Sequence, residues 1–205
     1  MTLLSFLGAA IVLTLAPGPD NLFVLAQGIG KGKKAGAYTT FGLCTGLLVH
    51  ITAATLGVSA VLYHSPLLFT LIKYAGAAYL LYLAYQSFTD RGAGLDLDAN
   101  DSLEPKALYQ RGIIMNLLNP KVALFFLAFF PQFVHGETVP VPLQMLVFGL
   151  LFLAQSLVIF LLISFFAGSV GRFLRRKPAI SRKINLVQGA LFALIGLNIA
   201  FSENT

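Results

Sequence analysis

The sequence predicts an all-α, polytopic membrane protein with six transmembrane helices in a single domain over residues 1–205. The chain is 57% hydrophobic and 11% charged, and its mean hydropathy is +0.81, whereas a soluble domain is about 25% charged. A membrane-spanning helix needs about 20 apolar residues because the hydrocarbon core is roughly 30 Å thick. Six such helices would take up about 120 residues and leave only loops. This composition argues against a disordered chain and against a soluble domain.

Six apolar segments follow one another along the chain. They cover residues 3–29, 35–62, 67–88, 112–134, 143–167 and 184–201. The first segment is interrupted at Pro17 and the fourth at Asn119-Pro120. We expect the first segment to be retained as a helix rather than cleaved, because no Lys or Arg precedes it and no small-x-small cleavage pattern follows it.

The basic residues predict the orientation of these helices. Twelve of the 14 Lys and Arg residues lie in the first, third and fifth loops, and none lies in the second or fourth. Because Lys and Arg are enriched in cytoplasmic loops, loops one, three and five should face the cytoplasm. Both termini should then lie outside.

The placement of the two interruptions predicts a 3+3 inverted repeat. The first repeat covers about 1–88, a cytoplasmic loop about 89–111, and the second repeat about 112–205. Three helices per half make the second half enter the membrane from the opposite side, and each half opens with an interrupted helix. Broken helices at corresponding positions of inverted repeats are a sequence pointer to a transporter binding site.

The first interruption contains the run Pro17-Gly18-Pro19-Asp20-Asn21. Its two prolines remove two backbone donors, so we expect one helix to end there and another to begin near Pro19 or Asp20. The unpaired N–H groups of the second helix would then lie inside the membrane, where they must be buried in protein or line a cavity. A simple proline kink is the structural alternative, but it does not require the charge of Asp20.

The second interruption is the run from Asn116 to Lys121. Asn119 followed by Pro120 is typical of a helix start, since Asn is a good N-cap and Pro is favoured at the first helical position. Lys121 lies in the first turn, where a cation opposes the helix dipole. Snorkelling of Lys121 to the cytoplasm is the alternative, although the inner edge lies roughly 15 Å away.

The two interruptions are predicted to meet near the membrane midplane. Two helix N-termini and Lys121 favour an anionic group between them, while Asp20 favours a cation. A zwitterion such as an amino acid satisfies both preferences. The alternative is an internal ion pair between Asp20 and Lys121. Since Asp20 is the only acidic residue within the six segments, it is the candidate proton carrier.

These runs resemble the lysine/homoserine exporter (LysE/RhtB) family of bacterial amino-acid efflux proteins, and the similarity covers essentially the whole chain. Residues 17–21 and 116–121 are its most specific parts, with 73–80 and 130–133 in support. The resemblance implies proton-driven export, across the bacterial plasma (inner) membrane, of basic amino acids, homoserine or its lactone, threonine, leucine or related compounds. The runs do not identify the substrate.

Three further residues are secondary candidates. Lys73 lies within snorkelling distance of the outer edge, so an interfacial role is simpler for it. Tyr79 belongs to a helix face that is also typical of packing or of an interfacial belt. His50 could relay protons, but core packing with one hydrogen bond explains it more simply.

Other function classes find less support. The three histidines lack metal-ligand spacing, and neither a nucleotide-binding loop nor a nucleophile–base pair is evident, so we expect no cofactor, no metal and no enzyme. Nucleic-acid binding is not expected, because the basic residues lie between apolar segments. The expected partners are an amino acid, protons and the lipid bilayer. An uncoupled facilitator or channel is the alternative function, and Gly42-x-x-x-Gly46 leaves a homodimer open.

Overall fold

The computed structural model describes residues 2–16, 18–58, 66–89, 104–134, 139–176 and 178–201 of the chain. Within these ranges every regular element is helical and no strand occurs. The prediction of an all-α protein is confirmed for this part of the chain. Pro17, at the first predicted interruption, lies outside the described residues.

Eight α-helices lie within the described residues. They are α1 (Thr2–Leu15), α2 (Pro19–Lys31), α3 (Lys33–Ala53), α4 (Pro66–Thr89), α5 (Pro105–Leu117), α6 (Pro120–Leu124), α7 (Val141–Arg176) and α8 (Pro178–Phe201). A π-helical turn at Ala54–Val58 extends α3, and a π-helical turn at Phe125–Phe129 followed by a 3₁₀ turn at Phe130–Phe133 extends α6.

Three helices extend well beyond the apolar segments that predicted them. Helix α5 begins at Pro105 rather than near residue 112, α7 continues to Arg176 rather than ending near residue 167, and α8 begins at Pro178 rather than near residue 184. All three extensions carry basic residues that were predicted to lie in loops. A helix can continue beyond an apolar segment because its backbone hydrogen bonds join residues of the helix itself and do not require apolar side chains.

The described helices include elements long and apolar enough to cross a membrane. Lys33–Gly57 and Val141–Phe173 each meet that requirement alone, and Leu3–Leu15 with Pro19–Lys31 meet it as a pair bent by 54°. These helices fit a multi-pass membrane protein. The six-span inverted repeat stays a prediction.

Helix α7 is central to the packing that positions the site. It contacts α1, α2 and α3, while α3 also packs on α5 and α4 packs on α8. A large cluster of buried aromatic rings lies between α1, α7 and the extension of α6. Its members include Phe6, Phe126 and Phe130, which have essentially no exposed surface.

Small residues bring α3 and α5 into backbone contact. A Cβ atom at Gly42 would overlap the carbonyl group of Tyr109, and one at Gly46 would lie 2.9 Å from the Cβ atom of Asn116. The Gly42-x-x-x-Gly46 pattern therefore serves close helix packing within one chain. This contact fixes the end of α5, where Asn116 lies, against α3.

Candidate functional site

The junction between α1 and α2 meets the junction between α5 and α6 inside the bundle. The Nδ2 of Asn116, near the end of α5, donates a hydrogen bond to the Oδ2 of Asp20, in the first turn of α2, at 3.0 Å. Both residues are 2% exposed. Two regions predicted separately from the sequence are thus in direct contact.

Lys121 lies at the same place but bonds to backbone. Its Nζ donates to the carbonyl oxygen of Ala16 at 2.9 Å and to that of Leu13 at 3.2 Å. The last carbonyls of a helix have no intrahelical donor and carry the negative end of the helix dipole. The ammonium group of Lys121 therefore caps the carboxyl end of α1.

Asn21 completes this cap from the other side of the junction. Its Nδ2 donates to the carbonyl oxygen of Thr14 at 2.8 Å and more weakly to that of Leu15 at 3.4 Å. Together with Lys121, it gives each carbonyl of residues 13–16 a side-chain donor. Such bonds are needed because an unpaired buried carbonyl is costly.

The position of Lys121 decides between the alternatives raised by the sequence. Lys121 is only 6% exposed, so the snorkelling alternative is wrong. The Asp20–Lys121 ion pair is absent as well: Asp20 Oδ2 is bonded to Asn116 and Asp20 Oδ1 has no hydrogen-bond partner among the described residues. What the sequence did not reveal is that the end of α1 is the partner of Lys121.

The remaining predicted residues shape these junctions. Pro19 and Pro120 are the first residues of α2 and α6, and the Oδ1 of Asn119 accepts the backbone N–H of Lys121 at 3.0 Å, as an N-cap does. Gly18 lies against the Lys121 side chain, since a Cβ atom there would be 2.9 Å from Nζ. Any larger residue at this position would displace the ammonium group.

A cavity of about 20 Å³ lies between the two junctions, α3 and α7. Its polar lining consists of Asp20, Asn116, Lys121, Thr14 and Ser156, and its apolar lining of Leu13, Leu47, Val122, Phe152 and Phe160. This volume is about that of a single water molecule. The cavity in this conformation is therefore too small for an amino acid.

The polar groups at this cavity offer both kinds of hydrogen bond. The Oδ1 atoms of Asp20 and Asn116 are buried acceptors without a hydrogen-bond partner in the described part of the chain. The ammonium group of Lys121 has three N–H donors, of which two bond to α1. Buried polar atoms of this kind are rare in folded proteins and call for an explanation. A ligand with a positive and a negative group would complement them.

Thr14 and Ser156 were not predicted from the sequence as members of the site. Their hydroxyl oxygens lie 3.2 Å apart and share a hydrogen bond, and the Nε2 of Gln155 donates to both at 2.8 Å. The only feature of the sequence that could have indicated their role is that each is a polar residue within an apolar segment. That feature does not tell which face of the helix each residue occupies.

The secondary candidates lie beside the cavity or away from it. His50 contacts the carbonyl oxygen of Asn116 through Nε2 at 3.1 Å, and its ring stacks on Phe126. Tyr79 packs against the ring of Tyr82 and does not line the cavity. Lys73 belongs to α4, but its side chain lies outside what the structure describes.

Comparison with known proteins gives matches over nearly the full length. Residues 11–203 match the family described as LysE type translocator. The chain is 32% identical over 200 residues to an uncharacterised membrane protein of Vibrio cholerae, covering 98% of this chain and 97% of that protein. It is 32% identical over 201 residues to a leucine efflux protein of Salmonella choleraesuis, covering 96% and 91%. An uncharacterised membrane protein of Bacillus subtilis is 38% identical over 144 residues, covering 65% and 68%. No solved structure matches the chain.

Proposed function

Because the chain belongs to the LysE type translocator family, we propose that it is a secondary exporter of amino acids whose substrate binds between Asp20 and Lys121. The family and the leucine efflux relative are transporters rather than enzymes, and the chain is a multi-pass membrane protein.

One observation carries the proposal: two buried residues of opposite charge line the same small cavity without pairing with each other. A charged side chain inside a membrane costs at least about 2.5–3.5 kcal/mol, so such residues usually serve a function. The α-ammonium of an amino acid would donate to the Oδ1 atoms of Asp20 and Asn116, for which the described residues provide no hydrogen-bond partner. Its carboxylate would accept from Lys121.

We propose that Asp20 also carries the proton. A protonated Asp20 no longer attracts the substrate ammonium, so proton and amino acid compete for the same carboxyl group. Substrate would leave to the outside as Asp20 takes up a proton there, and the proton would leave to the cytoplasm as new substrate binds. This competition yields one-for-one antiport.

The size of the cavity implies a conformational cycle. A space of about 20 Å³ must enlarge before an amino acid can enter it. The helix junctions are suitable hinges, because residues at the ends of helices can absorb large changes in backbone dihedral angles. In the proposed cycle the site opens in turn to the cytoplasm and to the outside of the inner membrane, with loops one, three and five cytoplasmic and both termini outside. The distribution of basic residues supports this orientation.

The test is uptake of labelled amino acids into inside-out vesicles with an acidic lumen. The panel should include leucine, threonine, homoserine and lysine. We expect gradient-dependent accumulation by the wild type and none by Asp20→Asn. Glu104→Gln, an exposed residue before α5, is the matched control and should behave as the wild type.

Two outcomes would contradict the proposal. Uptake that only reaches equilibrium would identify the alternative function, an uncoupled facilitator. Full gradient-driven uptake by a correctly inserted Asp20→Asn variant would exclude Asp20 as the proton carrier.

A further inference from the structure

We propose that the substrate is an α-amino acid with an uncharged, apolar side chain, and that one face of α7 selects it. This inference rests on the proposed function and names its substrate class. The face consists of Phe152, Ser156 and Phe160, which are four residues apart and all line the cavity. Residues at this spacing lie above one another on a helix.

The charges at the cavity argue against charged side chains. Of the described residues that line it, Asp20 is the only acid and Lys121 the only base. In the proposed complex both are engaged by the α-ammonium and the α-carboxylate. A lysine or arginine side chain would enter without an acidic partner, and a glutamate side chain without a basic one. Burying such an unpaired charge is strongly unfavourable.

The hydroxyl groups at the cavity already have partners. Thr14 and Ser156 bond to each other, and Gln155 donates to both. Only one of the two hydroxyls donates in their mutual bond, so one O–H donor is left over and a substrate hydroxyl could gain a single net hydrogen bond, which contributes about 0.5–1.5 kcal/mol. The polar cluster thus gives no strong preference for homoserine or threonine.

The apolar lining favours an aliphatic side chain. Five of the lining residues are apolar, and the two phenylalanines among them pack against other buried apolar side chains. The ring of Phe152 packs 5.0 Å from that of Phe125, and Phe160 packs with Val24 and Leu43. Burial of an aliphatic side chain against such walls is favourable in proportion to its apolar area.

Competition against labelled leucine tests the inference directly. The assay uses inside-out vesicles with an acidic lumen. Unlabelled isoleucine, methionine and leucine should inhibit uptake of the label at concentrations at least about tenfold lower than homoserine, lysine or glutamate. A lost apolar contact or an unpaired charge lowers affinity by roughly this factor or more. Equal or stronger inhibition by lysine or homoserine would overturn it.

Failure of the inference is distinguishable from failure of the proposed function. Gradient-driven uptake of lysine or homoserine but not of leucine would refute the substrate class alone. Absence of gradient-driven uptake for every amino acid tested would refute both.

A variant of the α7 face supplies the second measurement. Phe160→Ala should weaken inhibition by leucine several-fold relative to inhibition by phenylalanine, because the enlarged space fits the bulkier side chain better. Phe166→Ala, on the same helix but 57% exposed, is the control and should keep the wild-type ranking. An unchanged ranking in Phe160→Ala would contradict the assignment. Should that variant fail to insert, Phe160→Leu replaces it, with the same expected direction and the same contradicting result.

Discussion

The ammonium nitrogen of Lys121 lies 2.9 Å from the carbonyl oxygen of Ala16, so the first turn of α6 supplies the cap for the end of α1. This single contact joins the two helix junctions across 105 residues of sequence. It also explains how a cation is tolerated at a helix start, where the dipole is unfavourable: the negative end of another helix faces it.

Replacing Lys121 with Met should abolish transport and destabilise the protein. The variant keeps an unbranched side chain but leaves the carbonyl groups of Leu13 and Ala16 without their donor, which costs about 1–3 kcal/mol for each unsatisfied group. Thermal unfolding in detergent and vesicle uptake measure the two effects. Lys106→Met, at an exposed position, should alter neither. Wild-type uptake by Lys121→Met would exclude Lys121 from the site.

Gly18→Ala should displace the Lys121 ammonium group and strongly reduce transport. The new Cβ atom would lie 2.9 Å from Nζ, closer than real contacts allow. Because Nζ is the end of a flexible side chain, it can move aside, but only by lengthening its hydrogen bonds to Leu13 and Ala16. Gly8→Ala is a matched control in α1, because a Cβ atom there meets nothing within 4 Å. Equal transport by both variants would show that transport does not require the small size of Gly18.

Asn116→Leu should lower substrate affinity while the protein still inserts. The substitution removes the hydrogen bond to Asp20 and one acceptor proposed for the substrate ammonium. A hydrogen bond to a charged group contributes about 1.5–3 kcal/mol, which corresponds to roughly 10–150-fold in affinity. Gln110→Leu, exposed on the same helix, is the control. The concentration dependence of uptake measures the change, and an unaltered affinity would remove Asn116 from the binding site.

Gly42→Ala should reduce stability rather than change substrate choice. Its Cβ atom would overlap the backbone of Tyr109, and two packed helices cannot move apart without losing other contacts. We expect a loss of at least about 1–3 kcal/mol, seen as a lower unfolding temperature in detergent. Gly57→Ala, where a Cβ atom meets nothing within 4 Å, should unfold as the wild type. Equal stability of the two variants would mean that α3 and α5 are less tightly packed than observed.

Much of the fold could be predicted because apolar segments determine where helices form. Each of the six predicted segments overlaps a helix of the structure. Their limits in α5, α7 and α8 could not be predicted, since hydropathy marks where a helix meets lipid and not where its hydrogen bonds end. The inverted repeat and the orientation depend on relations between helices that hydropathy does not test.

The candidate site was predicted in part. Charge and backbone interruption identified Asp20, Asn116 and Lys121, which the structure brings to one cavity. The partner of Lys121 could not be predicted, because a bond to a backbone carbonyl leaves no mark in the sequence. Thr14 carried too little signal, as an isolated hydroxyl in an apolar helix is common and commonly bonds to its own backbone.

In the proposed complex, the cap on α1 links substrate affinity to the stability of a helix end. The substrate carboxylate and the carbonyls of Leu13 and Ala16 would attract the same ammonium group, so binding would draw Lys121 away from α1 and weaken the cap. Such coupling is reciprocal: the factor by which bound substrate weakens the cap equals the factor by which an intact cap weakens substrate binding. Saturating substrate should therefore speed amide hydrogen exchange at the junction of α1 and α2, even though ligands generally protect the proteins that bind them.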